Sequence, residues 1–179
     1  MPDPPPALAL APLAVAAVLA VAAAGKLRRP RSGPREFVAL RVPLTLRRPW
    51  VVRLHPWAEL AIATGLLGAP APWRWVPGMA AVGLLAGYLA LVGRLVLRGE
   101  RVACACFGAT EHPVTGWTVA RNAALLAGAA LAALDCLTTA SPVHRALTNG
   151  AAGAAWVTAA AVVAAGVWAG EALTEPADR

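Results

Sequence analysis

Residues 8–25 run without a single charged side chain. A helix that crosses a bilayer needs roughly 20 predominantly apolar residues, and this stretch nearly meets that length by itself. Comparable stretches follow at 54–69, 75–97, 117–134 and 151–170. Composition agrees: 59% of the chain is hydrophobic, 14% is charged, and the mean hydropathy is +0.61. Soluble domains carry about 25% charged residues, and one of 179 residues could not hide so much apolar surface. Disorder is excluded by the hydrophobicity, and a disulfide-built secreted scaffold by the presence of only three cysteines. The expected fold is an all-α polytopic membrane bundle. Four core transmembrane helices lie in a domain over 1–134, and a linker, an additional helix and a short acidic tail occupy 135–179.

A secretory leader competes for the first stretch, but its start should be basic. Here it reads MPDPPP, so a retained helix is expected. The second stretch is the shortest and opens on His55 and Glu59; Pro70-Ala71-Pro72 then turns the chain. Trp50, Trp57, Trp73, Trp75 and Trp117 fall at the expected span ends, where indoles favour the membrane–water interface. Gly83 with Gly87 and Gly166 with Gly170 have the spacing that permits close helix approach in lipid. Simple tolerance of glycine in membrane helices explains them equally well.

The net charge of +7 is read by position rather than as a nucleic-acid footprint. Residues 26–53 hold Lys26 and eight arginines (28, 29, 31, 35, 41, 47, 48 and 53). Prolines break this segment, and Phe37, Val38, Leu40, Val42 and Leu44 make it partly amphipathic. It is expected to be a loop on the membrane surface, with one short interfacial helix, contacting lipid headgroups. Five crossings gather Lys26, Glu59, Arg94, Cys104, Cys106, His112 and Arg121 on one side. Ionisable groups at membrane depth are costly and face a partner or a wet cavity. A pair between Glu59 and Arg121 or Arg94 is the natural expectation, with Asn122 beside Arg121; such a pair could be structural or functional. His55 reads as a solvated interfacial group.

Cys104-Ala105-Cys106-Phe107-Gly108 lies between the third and fourth spans. Two thiols one residue apart can close a small strained disulfide ring, and strain makes a bridge labile to exchange. Arg101 and His112 nearby would favour the reactive thiolate. Two other readings stand beside this one. Cys104, Cys106 and His112 could supply three metal ligands, or both cysteines could simply pack. Cys136, at the far end of the fourth span, lies beyond the ~7 Å Cα reach of a disulfide to this motif. No phosphate-binding glycine loop, HExxH, serine-hydrolase elbow or calcium loop is present in the sequence.

Taken in order, several features resemble the methylamine-utilisation protein MauE family, within the broader DoxX-like group of redox-associated membrane proteins. They are Gly25-Lys26-Leu27, Leu54-His55-Pro56-x-x-Glu59, Arg98-Gly99, Cys104-x-Cys106-Phe107-Gly108, Ala120-Arg121-Asn122-Ala123 and Leu125-Leu126. They cover about residues 8–134; the CxCFG followed by the arginine–asparagine pair is the specific part. The resemblance implies a multi-pass cell-membrane protein that helps a partner mature, in that family methylamine dehydrogenase with its disulfide-rich small subunit. It implies a thioredoxin-like redox partner, and Cys104 and Cys106 as a redox pair supported by Glu59, Arg121 and Asn122. No cofactor and no nucleic acid are implied. The arrangement is also similar to vitamin K epoxide reductase, but this chain has no CxxC and no cysteine in 26–53, so a relay between two cysteine pairs is not expected. The side of the membrane is left open. The positive-inside rule sends the basic face, with the cysteines, to the cytoplasm, whereas oxidative maturation of an exported partner calls for the other side.

Overall fold

A computed structural model of the chain describes residues 6–29, 33–70, 72–100, 103–104, 112–135 and 141–173. The fold is an all-α bundle. Its helices are α1 (Pro6–Arg28), α2 (Gly33–Ala39), α3 (Pro49–Gly68), α4 (Trp75–Leu97), α5 (Gly116–Leu134), α6 (Pro142–Thr148) and α7 (Gly150–Leu173). A two-residue antiparallel pair, β1 (Ala103–Cys104) with β2 (His112–Pro113), stands between α4 and α5.

Among the described residues four helices are long and apolar enough to cross a membrane, over Leu10–Arg28, Trp75–Leu97, Gly116–Leu134 and Gly150–Val167. A spanning helix satisfies its backbone hydrogen bonds internally, so length and apolarity suffice to specify it. α3 falls short in apolarity because it carries Arg53, His55 and Glu59. It nonetheless has 20 residues, about 30 Å of helix, and packs along α1 and α4. It begins five residues before the expected 54, with Pro49 in its first turn, where a missing N–H costs nothing.

α1 is the central helix. It packs against α3, α5 and α7, and half of its span is buried, more than of any other candidate span. Its apolar residues are distributed all round, as befits a helix enclosed by neighbours. The core joins Val15, Ala16 and Leu19 of α1 to Ala63 and Leu66 of α3, Leu85 of α4, Leu125 and Ala129 of α5, and Ala164 of α7. Many of these residues are alanines. In lipid no hydrophobic force draws helices together, and small side chains let backbones come close enough to gain dispersion contacts.

Within α4 the close approach occurs at Gly78, not at the spaced pair Gly83 and Gly87. A Cβ on Gly78 would lie 2.8 Å from the backbone Cα of Ala133 in α5, whereas one on Gly83 or Gly87 would meet nothing within 4 Å. Alanine at 78 is therefore expected to pry α4 from α5 and destabilise the bundle by about 1–3 kcal/mol. Alanine at 83 should leave stability unchanged or slightly raised. Thermal unfolding of both variants in detergent checks this, and equal midpoints would show that the contact is dispensable.

The basic segment departs from a loop resting on lipid. Lys26 is in α1, and Arg53 is in α3. Between them α2 and a short 3-10 turn at Leu44–Leu46 form a cap on the bundle. Leu40 and Val42 are buried against Val92 and Leu95 of α4 and Val114 before α5, with Phe37 at the margin. Val38 and Leu44 remain exposed. Half of the amphipathic pattern thus faces protein rather than membrane. Trp50, Trp57, Trp73, Trp75 and Trp117 are all exposed, as an interfacial belt requires.

Candidate functional site

Glu59 is wholly buried (0% exposed), and Lys26 is 9% exposed. Their side chains meet, Lys26 Nζ donating to Glu59 Oε1 at 2.5 Å. This replaces the expected partnership with Arg121 or Arg94. The last turn of α1 brings the ammonium to the middle of α3, so the charge nearest in space comes from a helix that is apolar up to that turn. Tyr88 of α4 completes the cluster. Its hydroxyl donates to Glu59 Oε1 and accepts from Lys26 Nζ at 3.0 Å. It also bonds to His55 Nε2. A phenol has one hydrogen, so with that hydrogen given to Glu59 the oxygen accepts from His55, which assigns the Nε2–H form to the imidazole. His55 stands one turn before Glu59, 3.5 Å from its Oε1. It is half-buried in this network, not solvated. Glu59 Oε2 is buried with no hydrogen-bond partner among the described residues.

The cluster is linked to the cysteine segment through α2. The Phe37 ring meets His55 edge-on at 5.5 Å, and His55 meets Tyr88 edge-on at 5.7 Å. α2 in turn lies in contact with β1. At the end of α4, Gly99 adopts φ +65°, a left-handed conformation that glycine takes without penalty. There Gly99 N–H donates to Val96 at 3.0 Å, and Glu100 N–H to Leu95 at 3.1 Å, the double closure that ends a helix in this way. Glu100 is thereby held for an ion pair with Arg41 at 2.9 Å, which ties the end of α2 to the end of α4. β1 and β2 then pair with Cys104 opposite His112 and Ala103 opposite Pro113. Beyond β2, the Thr115 N–H donates to the Thr118 hydroxyl at 3.3 Å at the start of α5.

Arg121 and Asn122 lie one to two turns into α5, 5% and 2% exposed. Asn122 Nδ2 donates back to the Thr118 carbonyl at 2.7 Å. Arg121 and Trp117 stand at a groove of about 430 Å³ between α1, α5 and α7. Glu59 and Arg121 therefore belong to different helix interfaces. Cys106, Arg101 and Cys136 lie outside the described residues, and so does the alternative ligand set that includes Cys106. Among the described residues no three His, Cys, Asp or Glu side chains cluster as metal ligands would. Lys26 and Tyr88 had no expected role in this cluster. The available signals were a lysine directly ending an apolar span, and the only tyrosine of the chain inside another.

A second buried charge cluster occupies the other end of the bundle. Arg74 precedes α4, about 20 Å along the helix from Tyr88. Asp135 of the α5 terminus, 2% exposed, bonds Arg74 Nη2 through Oδ2 at 3.0 Å and Arg145 Nη2 of α6 through Oδ1 at 2.5 Å. α6 itself starts at Ser141, whose hydroxyl accepts from the His144 N–H at 3.2 Å. The segment expected to be a plain linker is thus anchored at its helix.

The model of one family, described as methylamine utilisation protein MauE, matches residues 5–135. No curated protein and no solved structure matches the chain.

Proposed function

From the premise that the chain belongs to the methylamine utilisation protein MauE family, we propose that it is an accessory protein of the cell membrane that matures a partner by thiol–disulfide exchange at Cys104 and Cys106. The observation that carries this reading is the pairing of Cys104 opposite His112, in a segment braced by α2 and by the Gly99 turn. In the exchange, a thiolate of the CxC attacks a partner disulfide, forming a mixed disulfide and expelling one partner thiolate. The second CxC thiolate attacks the mixed disulfide, closing the Cys104–Cys106 bond and releasing the second partner thiolate. Two electrons pass to the partner, whose thiolates take up the two protons lost by the dithiol. The reverse sequence oxidises a partner dithiol. A thioredoxin-like protein resets the CxC by the same chemistry, and a disulfide-containing dehydrogenase subunit is the client that the family role suggests.

His112 and Arg101 are the groups that would hold a thiol as thiolate. Glu59 acts at a distance: its network with Lys26, Tyr88 and His55 fixes Phe37 and so the α2 helix behind β1. Arg121 and Asn122 lie buried one to two turns into α5, the helix that follows β2. The expected result for Cys104→Ser and Cys106→Ser is a loss of mature, disulfide-bonded client, with the membrane protein itself accumulating normally. One of the two variants should trap a mixed disulfide with a thioredoxin-like protein, visible on a non-reducing gel and absent after reduction. Full client maturation with both serines would overturn the proposal. Labelling Cys104 and Cys106 in intact cells with a membrane-impermeant thiol reagent assigns the compartment; labelling there means the exchange faces outward.

A further inference from the structure

A cavity of about 600 Å³ opens between the end of α1, α2 and the first turns of α3, within the ~300–1,000 Å³ range of small-ligand sites. Lys26 and Arg53 both line it, together with His55, and its apolar walls include Phe37, Val52 and Trp57. None of the described lining residues is acidic. Lys26 uses two of its three ammonium hydrogens on Glu59 and Tyr88, which leaves one for a ligand. Arg53 is exposed. The cavity lies at the end of a candidate span, Leu10–Arg28, beside the exposed indoles of Trp50 and Trp57, the depth at which lipid headgroups sit.

We propose that this cavity binds the phosphate of an anionic glycerophospholipid drawn from the bilayer. Lys26 and Arg53 take the phosphate, and Phe37, Val52 and Trp57 receive the glycerol and the first methylenes. The exposed Arg53 guanidinium and the third ammonium hydrogen of Lys26, whose charge Glu59 balances, are set in an apolar wall at headgroup depth; they complement a phosphate carried on an amphiphile better than a free anion, which would leave that wall wet. Such a lipid would bridge α2 to α3, beyond the contacts that the protein makes for itself. The proposal does not depend on the exchange chemistry at the CxC.

The test uses the full chain in nanodiscs of phosphatidylglycerol or phosphatidylcholine, with retained lipid read by native mass spectrometry. A stoichiometric phosphatidylglycerol is expected, with phosphatidylcholine retained far more weakly. Arg53→Glu should weaken retention about tenfold, the effect of losing one charge-assisted hydrogen bond. Arg48→Glu carries the same charge change at an exposed residue that is not among the cavity's lining, and it should retain lipid like the parent. Equal losses in the two variants would show diffuse surface attraction and overturn the site. Equal retention of the two lipids would overturn it as well. Displacement by soluble glycerol phosphate at matched concentration would make it a free-anion site and overturn the lipid assignment.

Discussion

Replacing Lys26 with methionine is expected to destabilise the bundle by about 3–5 kcal/mol, the usual cost of removing one partner from a buried ion pair. Glu59 is fully buried, so its carboxylate would be left with the Tyr88 hydrogen bond and no counter-charge. For a chain of this size the loss corresponds to roughly 6–20 °C in the unfolding midpoint. Tryptophan fluorescence in detergent can follow that transition. The double variant Lys26→Met with Glu59→Gln should recover most of the midpoint, because a neutral amide still accepts from Tyr88 and no buried charge remains. If the double variant melts as low as the single one, shape rather than charge holds this site.

The second large effect is expected at the opposite end. Asp135→Ala removes the carboxylate that joins Arg74 to Arg145, leaving the buried Arg145 and the part-buried Arg74 guanidiniums in one cluster. A cost of about 3–5 kcal/mol is again expected. The readout differs because α6 is tied to the ends of α4 and α5 through this carboxylate. Proteolysis between residues 136 and 150 should accelerate, along with a lower midpoint. Arg145→Met added to Asp135→Ala should restore part of the midpoint and none of the protease resistance, since the anchor of α6 stays cut. An Asp135→Ala variant that resists protease like the parent would show that α6 is held by its packing on α7, α1 and α3.

Both clusters join residues far apart in the chain, and this separates what could be read in advance from what could not. Glu59 was recognisable as a buried ionisable group, because a carboxylate at membrane depth demands a partner. The identity of that partner was not recognisable. Arg94, Arg121 and Lys26 all fell on the same face, and choosing among them requires the rotation of each helix about its own axis. Asp135 and Arg74 were less visible still, each a lone charge beside a span end. The capping role of residues 33–47 was half visible: the alternation around Leu40 and Val42 marks a one-sided segment, but not whether its apolar side meets lipid or protein.

The sequence by itself determined the membrane class, the all-α architecture, the four strongly apolar spans and the family. Each of these rests on local information. A helix in lipid closes its own backbone hydrogen bonds, and the motifs Cys104-x-Cys106-Phe107-Gly108 and Arg121-Asn122 can be read along the chain. Tertiary structure alone decided that α1 is the central helix, that Gly78 rather than Gly83 or Gly87 marks the close approach, and that Lys26 neutralises Glu59. It also decided that α2 lies between the charge network and the strand of Cys104. The physical reason is common to all four. In a bundle whose helices are mostly apolar, hydrophobicity does not select neighbours; backbone fit and the pairing of a few buried charges do.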